Sequence, residues 1–353
     1  MKKILMASAF ALPVIAQAQS GVTIYGITDA GVRHTSGLSA ANAPASGSAT
    51  ALLSGIDNTS RLGFRGVEDL GGGMRATFNF ETGLNLDTGA TANSAKFFDR
   101  ASWVGIGGGW GTFAFGRQTN LLADAISPVD AVGMRFASFN PNIVSTALSS
   151  HGLGIEYGTT GANTGAYRLD NSVKYSITAG SLTGRAMYSL GEVSGNSSAQ
   201  TSMGLGGVYS QSGWVVSGAY QKFKAASDLE LDGSTLGVAY QWGTVKLAAN
   251  WGRSKGETSL TAQTVQEVFS TGATWSVTPL IDVTAAYYRL DRERSGNANR
   301  DGYGRVILFT EYKLSRRTKL YAEADRTNWR GGYQGAVNKD HGTGISAGIL
   351  HTF

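Results

Sequence analysis

Apolar side chains recur at every second position in segment after segment of this 353-residue chain. In residues 235–242 and 244–251 they alternate with polar or small residues, and Gly243 alone separates the two runs. The same period of two recurs at residues 173–177, 182–188, 214–220 and 320–324. Successive side chains of a β-strand point to opposite faces, so this period predicts strands with one apolar and one polar face.

The apolar face of these strands is rich in Gly, Ala, Tyr and Trp, whereas a soluble β-sandwich would bury large aliphatic side chains. Lipid accommodates such a face, and Tyr and Trp near strand ends are typical of membrane interfaces. The 49 glycines, the 5 prolines and the 10% of aromatic residues favour many turns and aromatic-rich strands. Because the chain has no cysteine, neither disulfides nor thiolate metal sites can stabilise it, and the strand ladder must.

The breaks between the predicted strands alternate in length, as they do in membrane barrels with short turns at one end and long loops at the other. Short breaks fall at residues 69–73, 107–109, 179–181, 211–213, 243, 278–279 and 315–317, and longer polar stretches at residues 35–58, 191–201, 225–233, 254–263, 292–301 and 329–342. Counting the segments gives about 16 strands. We therefore predict an all-β fold, a 16-stranded antiparallel transmembrane β-barrel around an aqueous lumen.

The N-terminus has the features of a secretory signal peptide. A pair of lysines precedes an apolar run over residues 4–16, which is too short to span a bilayer as a helix. Ala16 and Ala18 form an A-x-A cleavage site at the end of this run. We therefore predict a cleaved signal peptide over residues 1–18 and a single barrel domain over residues 19–353, located outside the cytoplasm. A short anchor helix or a buried helix is the alternative interpretation.

Charge and motifs argue against several function classes. The formal charge of +5 falls to +3 without the two lysines of the signal segment, and the basic residues are scattered. No zinc-finger, basic-zipper or RNA-binding motif accompanies them, so nucleic-acid binding is not expected. The four histidines belong to no H-E-x-x-H motif or metal-ligand cluster, and no G-x-S-x-G motif is present. We therefore expect neither an enzyme nor a bound cofactor or metal.

Five segments resemble the general diffusion porins of β-proteobacteria. They are GVTIYGITD at 21–29, SRLGFRGVEDLGGG at 60–73, GTFAFGRQ at 111–118, RLDNSVKY at 168–175 and YKLSRRTKLY at 312–321. At the end of the chain, Phe353 looks like the C-terminal aromatic residue that these proteins present to the barrel-assembly machinery. The resemblance implies a 16-stranded barrel in the outer membrane of a Gram-negative bacterium, usually a homotrimer, in contact with lipid and lipopolysaccharide. It also implies a third surface loop that bends into the lumen, here from Thr119 to about Tyr167.

Alternation indicates which basic side chains of the first strands face the lumen. Leu62 and Phe64, which lie between Arg61 and Arg65, take the lipid face, so both arginines are expected to point inward. The same argument applied to residues 100–104 sends Arg100 inward together with Ser102. Arg117 has the parity of the phenylalanines before it and is not expected to face the lumen.

The middle strands supply further inward bases. Outward Val173 and Tyr175 set a parity that sends Arg168, Asp170 and Lys174 inward, and Arg185 points inward by the pattern of its own strand. Independently, the porin resemblance implies that Arg61, Arg100 and Arg168 are the constriction arginines. Each of them could instead be an ordinary solvated residue of a polar lumen.

Fixed charges that face each other across a narrow opening are enough to select solutes, without any reaction. The predicted acidic partners come from the inward loop and are Asp124, Asp130 and Glu156. Three arginines against two aspartates suggest a weakly anion-selective channel for small hydrophilic solutes and ions. A substrate-specific channel, a surface adhesin and a barrel enzyme remain the alternatives.

Overall fold

The structure, a computed structural model, describes residues 21–136, 138–146, 155–159, 167–335 and 338–353. The predicted signal peptide lies outside these residues, as do residues 147–154 and 160–166 of the predicted inward loop. The strands are β1 (Gly21–Leu38), β2 (Pro44–Ser54), β3 (Arg61–Gly71), β4 (Met74–Asn85), β5 (Ala90–Thr91), β6 (Ala101–Gly108), β7 (Gly111–Thr119), β8 (Arg168–Ala179), β9 (Leu182–Ser189), β10 (Ser202–Gln211), β11 (Trp214–Lys224), β12 (Glu230–Trp242), β13 (Val245–Ser259), β14 (Ala262–Thr278), β15 (Ile281–Arg294), β16 (Asn297–Lys313), β17 (Thr318–Arg330) and β18 (His341–Thr352). The helices are α1 (Leu121–Ile126) and α2 (Pro141–Thr146), with 3₁₀ turns at Ser127–Val129 and Gly331–Tyr333.

The strands form one closed antiparallel barrel. Neighbouring strands pair in chain order, and β18 pairs with β1, which closes the sheet. Both β2 and β3 pair with β1, one after the other, so they count as a single barrel strand that is interrupted at residues 55–60. The two-residue strand β5 pairs only with the end of β4. The barrel therefore has 16 strands, which confirms the predicted fold class.

The two faces of the strands separate as the alternation predicts. Leu247 and Trp251 project outward and are exposed, whereas Ala248 and Asn250, on the opposite face of β13, are buried on the inside. Aromatic side chains gather near the strand ends, where the rings of Trp214 and its neighbour on β12 lie 4.3 Å apart. The outer surface is thus an apolar band with aromatic edges, as contact with lipid requires.

The connections differ between the two ends of the barrel. All the predicted short breaks are turns at one end, here called the short-turn end. At the opposite, long-connector end, the predicted loops 35–58, 254–263 and 292–301 are mostly strand. Both faces of the strand ends at 254–263 and 292–301 are mostly polar, which hides the alternation, while cross-strand ion pairs such as Arg253–Glu267 at 3.4 Å support the pairing.

The longest connector, between β7 and β8, packs against the inner wall of the barrel. Asn120 caps α1, because its side chain accepts a hydrogen bond at 2.8 Å from the N–H of Ala123. Every residue of α1 except Asp124 is buried. Ser217, on the inner face of β11, donates a hydrogen bond to the carbonyl of Ala125. These contacts place the start of the connector inside the barrel.

Two glycines on the inner wall make room for the connector. A Cβ atom on Gly233 would lie 2.5 Å from Leu122, and one on Gly237 would lie 2.4 Å from Val129. Both positions therefore need a residue without a side chain. Within the described residues, neither helix of this connector, nor any other helix, is long and apolar enough to cross a bilayer.

Candidate functional site

Two adjoining cavities lie inside the barrel. The larger, of about 550 Å³, lies between the wall and the connector, and the smaller, of about 360 Å³, lies against β4, β6 and β8. Arg61, Arg100 and Thr119 line both cavities, so the passage between them runs past these side chains. Asp124, the one residue of α1 that is not buried, lines the larger cavity.

Three arginines meet at this passage, and each lies at the start of a strand or directly before it. Arg61 begins β3 directly after the break, Arg100 directly precedes β6, and Arg168 begins β8. Arg61 donates through Nε to the carbonyl of Thr59 at 2.9 Å. The guanidinium carbon of Arg168 lies 4.4 Å from the centre of the Tyr167 ring, a cation–π distance. Strand ends allow these long side chains to converge from three different strands.

Glu81 lies among the arginines and is not among the residues predicted from the sequence. Its carboxylate accepts hydrogen bonds from Nε of Arg100 at 2.6 Å and from the hydroxyl of Tyr25 at 3.0 Å, and it lies 3.9 Å from Arg61. The signal was present, because the two phenylalanines of β4 take the outward face and thereby send Glu81 inward.

Tyr167 is a second member of the site that the sequence did not reveal. It is the last residue of the connector, directly before β8. Burial alone would raise the pKa of Tyr167, but the positive charges of Arg168, Arg100 and Arg61, together with a hydrogen bond from Arg168, lower it to about 8. The phenol can therefore ionise in mildly alkaline solution.

Basic side chains outnumber acidic ones around the two cavities. Lys174 and Asp124 form an ion pair at 2.7 Å, and Arg100 is paired with Glu81. Arg185 lines the larger cavity, and no acidic side chain in the described part of the chain pairs with it. The lining contains five bases and two acids, namely Arg61, Arg100, Arg168, Lys174, Arg185, Glu81 and Asp124. Positive charge at the passage is therefore only partly compensated.

Two of the predicted constriction residues lie elsewhere along the barrel. Arg65 points inward but lies four residues, roughly 13 Å, from Arg61 toward the short-turn end. Its guanidinium carbon lies 5.0 Å from the centre of the Tyr25 ring. Glu156 lies beside Tyr157, which bridges to Ala225 just after β11, and it lines neither cavity.

Asp130 is predicted at the opening, but the structure places it between the connector and the wall. It is fully buried, and its carboxylate accepts hydrogen bonds from the hydroxyl of Tyr288 at 2.7 Å, from Asn140 at 2.9 Å and from Asn142 at 3.2 Å. The backbone N–H of Met134 donates to it at 2.7 Å. A loop acid that organises a turn has the same sequence pattern as one that faces water. Here Asp130 fastens the connector to β15.

The strand register around Arg100 differs from the prediction. On β6, Trp103 lines the smaller cavity, whereas Val104 is exposed on the outer face and Ser102 shares its parity. The predicted inward direction of Ser102 is therefore wrong. Arg100 still reaches the cavity because it precedes the strand and is free of its alternation.

The register of β8 also contains an irregularity. Asn171 has a φ of 51°, in the left-handed region, and a register shift in the β7–β8 pairing lies beside it. The alternation therefore reverses, and Asp170 lines neither cavity but forms ion pairs with Arg117 at 2.7 Å and with Lys96. The predicted inward direction of Asp170 is wrong for this reason.

A buried ionic network also ties the connector to the wall. Arg135 of the connector contacts Asp57 at 3.2 Å and Glu311 at 3.0 Å, and Lys319 contacts Asp57 at 2.7 Å. Asp57 lies in the break between β2 and β3, so this irregular segment serves as an attachment point. Among the residues that the structure describes, no group of three or more metal-ligating side chains could hold an ion.

The sequence and fold of the chain are similar to those of known porins. Residues 5–332 match the family described as Gram-negative porin. The chain is 30% identical to outer membrane porin protein 32 of Delftia acidovorans over the full length of both chains. It is 35% identical to an outer membrane porin protein of Bordetella pertussis over 42% of each chain. The anion-selective porin from Comamonas acidovorans shares the fold, with a TM-score of 0.79 and 24% identity, over 95% of this chain and 100% of that chain.

Proposed function

The chain belongs to the Gram-negative porin family and is a channel protein of the outer membrane, and we propose that its channel passes small hydrophilic solutes with a preference for anions. The observation that carries this preference is the excess of basic side chains where the two cavities meet. Arg61, Arg100 and Arg168 form the constriction in this account, and Arg185 adds to the positive potential of the larger cavity. The family points to a channel, and we propose that passive diffusion is its whole activity.

The size of the effect follows from Coulomb's law. A unit charge acts on an ion about 5 Å away with roughly 0.8 kcal/mol in water, which changes the local ion concentration about fourfold. Glu81 and Asp124 each offset one base, so about three positive charges remain. A net preference of several-fold for anions is therefore expected at moderate salt, and it weakens as salt screens the charges.

We also propose that the protein is exported and assembled as other members of the porin family are. Residues 1–18 act as the cleaved signal peptide, and the protomers associate as a homotrimer. Phe353 closes the seam of the barrel, where its backbone N–H and carbonyl exchange hydrogen bonds with Gly26 at 3.2 and 3.1 Å. Its exposed side chain is available for recognition by the barrel-assembly machinery.

Liposome swelling tests the proposed transport. Liposomes that contain the purified protein are placed in isotonic solutions of a monovalent organic anion and of a monovalent organic cation of matched size. We expect faster swelling with the anion, and a difference that shrinks at high salt because the constriction charges are screened. Equal rates, or faster entry of the cation, would contradict the preference for anions, and an absence of swelling would contradict the channel.

The low pKa of Tyr167 predicts that selectivity depends on pH. The phenol is neutral below its pKa and negative above it, so raising the pH from about 7 to about 9 adds one negative charge beside the arginines. Over this interval the local anion concentration should fall, and the local cation concentration rise, by at most about fourfold each, so the preference for anions should decrease. Reversal potentials under a salt gradient measure it, and Tyr167→Phe is the matched control, in which the step should vanish. A step of equal size in Tyr167→Phe would assign the titration to another group.

A further inference from the structure

The outer face of the barrel carries a groove where β15, β16 and β17 meet. On β16, Gly304 points outward and lacks a side chain, which leaves a groove of about 270 Å³ between the neighbouring strands. The lining residues are Tyr287, Arg289, Gly304, Val306, Asn328 and Arg330. The groove therefore has an apolar lower part and two arginines above it.

Three exposed arginines give the groove an excess of positive charge. Arg289 and Arg330 share a single acid, Asp291, which accepts hydrogen bonds from them at 2.7 and 2.6 Å. Their side chains remain 53% and 44% exposed. Arg326 is exposed one level lower on β17, and no acid in the described residues lies within ion-pair distance of it; its Nε donates to Asn328 at 3.3 Å.

Other outward arginines on nearby strands are compensated one to one. Arg253 pairs with Glu267 across β13 and β14, and Arg300 pairs with Glu293 across β16 and β15. Asp340 also interacts electrostatically with Arg326, though beyond ion-pair distance, so the groove has three arginines against two carboxylates and keeps an excess of positive charge. Such a cluster of exposed guanidinium groups is suited to an anionic partner with several oxygen acceptors.

The groove lies at the boundary of the apolar band. Along β15 the outward residues run from Ile281 through Val283, Ala285 and Tyr287 before Arg289 introduces charge. This change occurs toward the long-connector end of the strand. Outer-membrane barrels place their short turns in the periplasm, so this end faces the outside and the arginines lie at the level of the outer leaflet headgroups.

We propose that this groove binds the phosphate-bearing headgroup of an outer-leaflet lipid. The phosphate oxygens accept hydrogen bonds from Arg289, Arg326 and Arg330, while an acyl chain lies along Tyr287 and Val306. The arginines match the phosphate groups of a phosphorylated lipid, and the apolar lower part of the groove matches its acyl chain. A second copy of the chain fits less well, because a partner would have to supply several acids opposite the arginines.

Native mass spectrometry of the purified full-length protein in detergent tests this site. The probes are diphosphoryl lipid A, its dephosphorylated form and the zwitterionic lipid phosphatidylcholine. In the triple variant Arg289→Gln, Arg326→Gln and Arg330→Gln, binding of diphosphoryl lipid A should weaken about tenfold or more. The double variant Arg253→Gln and Arg300→Gln, which alters paired rim arginines, should bind as the unaltered protein does.

Further measurements make the outcome specific. All variants should keep their single-channel conductance, since none of these residues lines the lumen cavities. Millimolar inorganic phosphate should not displace the lipid, because it lacks the acyl chains that occupy the apolar part of the groove. Undiminished binding in the triple variant, or equal binding of the dephosphorylated lipid, would overturn the proposal. Dissociation of the protomers in the triple variant would also overturn it and would assign the face to subunit contact.

Discussion

Replacing Arg61, Arg168 and Arg185 together by glutamine is expected to abolish the preference of the channel for anions. These three side chains are the positive charge that remains after Arg100 pairs with Glu81 and Lys174 pairs with Asp124. Each contributes roughly 0.8 kcal/mol at about 5 Å before screening, so the triple variant should lose the whole several-fold preference, and its anion-to-cation permeability ratio should fall to about one. The reversal potential under a salt gradient measures this ratio directly.

Two matched variants show whether the position or merely the charge matters. Arg65→Gln removes an inward base that lies roughly 13 Å from the passage, and Arg253→Gln removes an outward base. Both should change the permeability ratio by less than about twofold, because the intervening distance exceeds a Debye length. If Arg65→Gln were as effective as the triple variant, the selectivity would reside near the short-turn end and the assigned constriction would be wrong.

Asp130→Ala is expected to release the connector from the wall and to widen the channel. The substitution removes the acceptor of the buried Tyr288 hydroxyl and of the Met134 backbone N–H, and it takes one of two acceptors from each of the amides of Asn140 and Asn142. Each unsatisfied donor costs about 1–3 kcal/mol, so the packed position of the connector should lose about 3 kcal/mol or more. Single-channel conductance should rise, and the preference for anions should fall because ions pass farther from the arginines.

The strands themselves should survive this substitution, since the ladder does not depend on Asp130. The heat-dependent mobility of the folded barrel on a gel reports on that point. Asp87→Ala, at an exposed position of another connector, is the matched control and should leave conductance unchanged. An unaltered conductance in Asp130→Ala would mean that the ionic network of Arg135 with Asp57 and Glu311 holds the connector without it.

The barrel could be predicted from the sequence because lipid contact imposes a period of two on every spanning strand. Trp251 and Leu247 face lipid and Asn250 faces the inside, as their alternation indicates. Alternation is a weaker guide to strands beyond the membrane, where both faces of a strand contact water. The hairpin of β13 and β14 therefore looked like a loop although it is paired almost to its tip.

The site was less predictable because its arginines lie at or just before the starts of strands, where alternation is a weak guide to side-chain direction. Arg61 and Arg168 begin strands and Arg100 precedes one, so local alternation says little about where their side chains end. The left-handed Asn171 reverses the register of β8 without any strong sequence signal. Glu81 could have been found from the parity of β4. The burial of Asp130 could not, since it depends on contacts with the distant β15 and with its own loop.

The central claim is that this porin conducts anions better than cations because of the arginines at the passage. Its most direct test is the reversal potential of the unaltered protein in a planar bilayer under a tenfold gradient of potassium chloride. We predict ohmic single-channel steps and a reversal potential with the sign for chloride, which moves toward zero as the mean salt concentration rises. A folded, inserted protein that never conducts, or a reversal potential with the sign for potassium, would contradict the account.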